Sequence, residues 1–240
     1  MRLWIGLLAL CFAGGLAVAQ PASRGPEQFE PQIAAFEAAD RTSPPPPCPI
    51  LFTGSSTIRR WTTLTSDMAP MVVLNRGFGG SRIADVTHYF ERAVAPYRPR
   101  AIVFYAGEND YNGGREAGDV VADFERFMET KTRLLGDTPV FFVSLKPSRL
   151  REGQMPGQRW INARIETLAA RRSDLIYIDV APAMLTPEGR PRDLFVEDGL
   201  HMTPAGYAIW TPIIRRALER HSLVCPAPMG ARTGAVRPTG

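Results

Sequence analysis

Ala101-Ile102-Val103-Phe104-Tyr105 runs without a polar interruption and is stopped by Gly107-Glu108-Asn109-Asp110. A short apolar run with no alternation predicts a strand buried on both faces, as in a parallel sheet covered by helices. Four more runs of this kind lie on either side of it, at residues 50–53, 71–74, 140–144 and 175–179. Helical spacing fills the gaps: Ile83, Val86, Phe90 and Val94, then Val120, Phe124 and Phe127, then Ile161, Ile165 and Leu168. A last helix is expected from Thr203-Pro204, with threonine as cap and proline in the first turn. Strand and helix alternating five times predicts an α/β fold, a three-layer α/β/α sandwich around a five-stranded, doubly wound parallel sheet of flavodoxin-like type. Ligands of such sheets bind at the carboxyl ends of the strands, so the residues just after each strand carry the functional reading.

The ends of the chain read differently. Arg2, the apolar stretch 3–16 and Ala17-Val18-Ala19 form the pattern of an export signal over residues 1–19. Residues 20–47 read as a polar lead-in ending in Pro44-Pro45-Pro46-Pro47, which cannot pair in a sheet. Residues 226–240, rich in Pro, Gly, Ala and Arg, read as a disordered tail, leaving 48–225 as the domain. Without the signal, Cys48 and Cys225 remain at the two edges of that domain. An even pair in an exported protein suggests a disulfide. No other segment is long and apolar enough to span a membrane. The formal charge of +4 is small and spread along the chain, with no dense basic run, which argues against a nucleic-acid partner. Arg149 and Arg151 read as exposed loop charges.

Three segments after strands carry candidate chemistry. In Gly54-Ser55-Ser56-Thr57, a serine on a tight strand-to-helix turn can hold its hydroxyl clear of the sheet beside free helix amides, although Gly-Ser-Ser is also ordinary turn and cap chemistry. In Asn75-Arg76-Gly77-Phe78-Gly79-Gly80-Ser81, glycines let backbone amides approach a ligand. The spacing is wrong for a dinucleotide fingerprint, and no Walker-type Gly-Lys-Ser/Thr occurs. After the third strand, Asn109 can donate to an oxyanion or simply serve a turn. Late in the chain, Asp198-Gly199-Leu200-His201 places a carboxylate where it can curl back to orient an imidazole. The chain has three histidines. His88 projects off the apolar stripe of its helix, and His221 ends the last helix, which leaves His201 as the candidate base.

In order and placement these four blocks resemble the SGNH/GDSL hydrolase superfamily over about residues 48–222, including Trp61 after the first block. The resemblance implies Ser56 as nucleophile, His201 as base and Asp198 as its orienting acid. It further implies an oxyanion hole made of the Ser56 and Gly80 amides and the Asn109 side chain. Ser55 stands where many relatives have aspartate, and Glu108 is given no role. The implied activity is serine ester hydrolysis through an acyl-enzyme, on short-chain or carbohydrate-linked esters, with no cofactor and no metal. An O-acyltransferase or a silent carbohydrate-binding member is the alternative. Specificity is assigned to loops 111–118 and 146–156.

Overall fold

The computed structural model describes residues 25–225; the expected signal at 1–19 and the tail at 226–240 lie outside the described residues. In chain order the elements are α1 (Glu30–Thr42), β1 (Ile50–Gly54), α2 (Ser56–Arg59), α3 (Leu64–Asp67), β2 (Val73–Gly77), α4 (Ile83–His88) and α5 (Phe90–Ala93). Then follow β3 (Ala101–Tyr105), α6 (Glu108–Asn112), α7 (Ala117–Leu135), β4 (Val140–Val143), α8 (Met155–Ala169), β5 (Leu175–Ile178) and α9 (Pro204–Glu219). The five strands form one all-parallel sheet in the order β2-β1-β3-β4-β5. The order reverses at β1, between β2 and β3, which opens a crevice at the carboxyl ends of the three strands.

The uninterrupted apolar runs divide by the pleat. Leu51, Ile102, Phe104, Val140 and Phe142 face a core closed by α1, α4, α5, α7 and α8. Ile50, Phe52, Val103, Tyr105, Phe141 and Val143 face the opposite core, closed by α2, α3 and α9. Alternate side chains therefore enter opposite layers, and each strand has to be apolar at every position. β2 sits at the edge, starts two residues later than its apolar run and continues through Asn75 and Arg76, which pair through their backbone while their side chains bond elsewhere.

The lead-in expectation for residues 20–47 needs correction where it is described. Residues 26–42 form a 3-10 turn and α1, docked on the sheet through the buried Phe29 and Ile33. Phe29, Ile33 and Phe36 follow the spacing of one helical face, a signal masked by the polar residues between them. Asp40 of α1 is ion-paired with Arg76 and accepts a hydrogen bond from Tyr97, while Glu30 and Glu37 both clasp Arg92. Close to Tyr97, Cys48 is bonded to Cys225 across 177 residues. In the chain-entropy model a loop of that length stabilises by about 5 kcal/mol. Among the described residues no helix is long and apolar enough to cross a membrane.

Thr203 immediately precedes α9, but its hydroxyl donates to the Leu194 carbonyl (3.2 Å) rather than capping the helix. Asp110 joins two elements: its carboxylate accepts the Ile83 N–H at the start of α4 (3.0 Å). Burial pushes this carboxyl up to about 6, against the backbone N–H groups that favour its charged form. A carboxyl raised in the folded state gives stability that is complete below its unfolded value and is lost as pH rises through about 6. Asp110→Asn, which keeps the acceptor oxygen, is expected to be more stable than wild type at pH 8 by about 2–3 kcal/mol and equal to it near pH 4. Urea unfolding of both proteins across that range is the check, and a pH-independent difference would contradict the assignment.

Candidate active site

Three strand ends and one late loop converge at the crevice. Gly54 closes β1 at φ +127°, and a Cβ there would lie 1.9 Å from the Tyr105 carbonyl oxygen, so only glycine fits. This close approach turns the chain sharply into α2 and separates the two serines that follow. Ser55 points inward, fully buried, with no hydrogen-bond partner for its hydroxyl. Ser56 starts α2 and faces the cleft.

His201 approaches from the loop before α9. Its Nε2 lies 2.9 Å from Ser56 Oγ, and its Nδ1 lies 2.5 Å from Asp198 Oδ2. Asp198 Oδ1 also accepts the N–H groups of Leu200 and His201, both at 2.9 Å. These bonds place Asp198 although its side chain is 42% exposed. Partial burial pushes its carboxyl up, but the imidazole and the two backbone donors outweigh that and hold it well below the usual carboxylate range. With Nδ1–H donated to Asp198, Nε2 carries the lone pair that faces the serine hydroxyl. The loop around Lys146 braces this segment: Leu150 N–H donates to the Gly199 carbonyl (3.0 Å), and Arg149 donates to the Val196 carbonyl (3.0 Å).

Gly80 has φ +84° and lines the same cleft as Ser56, with nothing within 4 Å of where its Cβ would stand. Among the described residues neither the Ser56 nor the Gly80 N–H meets a protein acceptor. Asn109 follows β3, donates Nδ2–H to the Ser81 carbonyl (3.1 Å) and lines the same cleft. That cleft encloses about 320 Å³ between Gln32, Ser56, Arg59, Arg60, Gly80, Asn109 and His201. A concavity of about 390 Å³ at the opposite, amino end of the strands is lined by Arg100, Thr138 and His221, where His221 is turned to the Ala217 carbonyl (2.8 Å). His88 is exposed and packs against Tyr89, away from the cleft. The structure thus brings Ser56, Gly80, Asn109, Asp198 and His201 together and leaves the other two histidines apart. No cluster of three or more potential metal-ligating side chains occurs among the described residues.

A model of the GDSL-like lipase/acylhydrolase family matches residues 42–209. The chain belongs to that family. It is accordingly a hydrolase acting on esters. Solved structures with the same fold include a Streptococcus pneumonia protein provisionally named a platelet activating factor (19% identity, 80% of this chain and 93% of that one, TM-score 0.71). They include a GDSL-like lipase from Bacteroides thetaiotaomicron (20% identity, 81% and 97%, TM-score 0.64). An acetyl-xylooligosaccharide esterase from Geobacillus is also similar (14% identity, 73% and 96%, TM-score 0.56). No curated protein matches the chain.

Several residues of this GDSL-like chain matter in ways their sequence context did not show. Gln32, from the segment read as a lead-in, accepts the Gly79 N–H (2.9 Å) and forms part of the cleft wall. Arg151, read as an exposed loop charge, is buried, and its Nη2 donates to Asn109 Oδ1 (2.9 Å). Glu108 is buried against Lys146, whose Nζ lies 3.0 Å from both carboxylate oxygens, and Tyr105 donates to it at 2.8 Å. Burial pushes the Glu108 carboxyl up, but Lys146 and Arg151 outweigh it and keep it below its ordinary value. A lysine directly after a buried apolar strand was the one available hint, since a charge there must find a buried partner. Lys146→Met removes the neutralising ammonium and is expected to destabilise by about 3–5 kcal/mol, while the Lys146→Met/Glu108→Gln double variant recovers most of it. Chemical denaturation of the single and double variants tests this, and a single variant as stable as wild type would refute the pairing.

Proposed function

We propose that the protein is an exported serine esterase in which Ser56 is the nucleophile, His201 the general base and acid, and Asp198 the group that orients His201. The observation carrying this is the unbroken hydrogen-bonded chain from Ser56 Oγ through His201 to Asp198, across 145 residues of sequence, at the mouth of an open cleft. His201 takes the serine proton as Oγ attacks the ester carbonyl. The Ser56 and Gly80 amides and Asn109 Nδ2–H receive the negative charge that develops on the carbonyl oxygen. His201 then delivers its proton to the leaving alcohol, and water repeats the sequence on the acyl-enzyme. Asp198 holds the imidazole in the required tautomer and stabilises its charged form.

Short acyl groups, including those esterified to carbohydrates, are the proposed substrates. The cleft is open, and Gln32, Arg59, Arg60 and Asn109 in its lining offer hydrogen-bonding groups to a hydroxylated alcohol. The similar Geobacillus structure is an acetyl-xylooligosaccharide esterase. Export is supported by the Cys48–Cys225 bond, which persists in oxidising compartments.

Ser56→Ala and His201→Ala are expected to lower turnover of p-nitrophenyl acetate by about four to six orders of magnitude. Ser55→Ala, which only removes a buried hydroxyl without a partner, is expected to keep both activity and stability. Asn109→Ala should cost about two to three orders of magnitude, the scale of one oxyanion donor. Steady-state kinetics on folded variants decides the matter: an active Ser56→Ala protein, or an inactive Ser55→Ala one, would overturn the nucleophile assignment.

A further inference from the structure

We propose that Arg151 is a positioning residue that fixes the carboxamide of Asn109 in its oxyanion-binding orientation and sets a buried positive charge behind it. The inference rests on the esterase reading for its consequence and on geometry for its cause.

An asparagine side chain presents an oxygen and an NH2 group of nearly equal size, and a half-turn exchanges them. For Asn109 the two orientations have opposite effects. With Nδ2 toward the cleft it stabilises a developing oxyanion; with Oδ1 there it repels one. The two protein contacts of the group allow only the first. The Arg151 guanidinium has donors and no acceptor, and its Nη2 lies 2.9 Å from Asn109 Oδ1. The Ser81 carbonyl can only accept, and it takes one Nδ2 hydrogen at 3.1 Å, leaving the other for the cleft. Turning the amide over would set N–H against N–H on one side and oxygen against oxygen on the other.

Arg151 is itself held inside the protein. Its Nη1 is 3.9 Å from Glu108 Oε1, and Glu108 is already satisfied by Lys146 and Tyr105. Two cations thus share one carboxylate. Arg151 Nε and Nη1 are buried without a hydrogen-bond acceptor, a cost that an apolar side chain of similar length would avoid. A residue kept for stability alone has no reason to carry that cost. A guanidinium that grips Asn109 Oδ1 does, because a charge-assisted bond to the oxygen also polarises the amide and strengthens Nδ2–H as a donor.

The test is a double-mutant cycle on p-nitrophenyl acetate with wild type, Arg151→Met, Asn109→Ala and the double variant. Arg151→Met is expected to lower kcat by about 10- to 100-fold with KM nearly unchanged, and the double variant to lie within about twofold of Asn109→Ala. Arg151→Lys, which keeps the charge and one donor, should recover part of the loss and serves in its place should the Met variant fail to fold. Multiplicative effects in the double variant, or wild-type kcat in Arg151→Met, would overturn the proposal. A second readout does not depend on turnover: the side-chain 15N–1H signals of Asn109, assigned by their loss in Asn109→Ala, should shift and broaden in Arg151→Met. Unchanged signals would also overturn it. Wild type that turns over no ester would defeat the esterase reading alone, and the Asn109 signals would still decide whether Arg151 fixes the amide.

Discussion

The indole of Trp61 is packed between Phe52 of β1 and Tyr207 and Trp210 of α9, with ring centroids 5.1–6.2 Å apart. Its Nε1–H is satisfied by Asp67 (2.6 Å), so the ring is buried without an orphaned donor. Nearby, Tyr207 donates to the Thr57 carbonyl (2.9 Å). The distance between Ser56 and His201 depends on this contact, because one residue rides on the turn after β1 and the other on the loop that leads into α9. An apolar and aromatic joint of this kind is stiff, and a shift of even an ångström between α9 and the first turn would separate the hydroxyl from the imidazole.

The parallel sheet sets the rest of the geometry. With all strands running one way, Gly54, Gly77 and Tyr105 end at one rim, and the segments that follow them meet there. The rim is then shaped by polar contacts rather than by the apolar core. Gln32 holds the Gly79 peptide, Asp110 ties the start of α4, and Arg151 grips Asn109. α1 belongs to this arrangement, since it supplies Gln32 as well as the Asp40 partner of Arg76.

Charge at the site is arranged in two layers. At the surface, Asp198 is half-exposed and gains its role from three donors aimed at it rather than from burial. Beneath the cleft, Glu108, Lys146 and Arg151 are shut away from water, where each charge depends on the others. In the proposed mechanism the exposed layer would serve proton transfer, and the buried layer would supply a fixed electrostatic background.

The sequence by itself determined the layered α/β architecture and named the candidate residues of the site. Strands buried on both faces must be continuously apolar, and the polar residues that end them must lie at the rim. Ser56, Gly80 and Asn109 were legible as candidates because they follow strands, Asp198 and His201 because of their spacing and because the other two histidines fall elsewhere. The roles proposed for all five came from the resemblance. Only the tertiary structure showed that Ser55 turns inward while Ser56 faces the cleft, because that depends on the close approach of Gly54 to the Tyr105 carbonyl from another strand. Only the tertiary structure made α1 part of the fold and buried Arg151, Glu108 and Lys146 behind Asn109. A local pattern records which faces of an element are apolar. It does not record which distant charge will cancel another, since such pairing depends on loops whose course is set by packing rather than by periodicity.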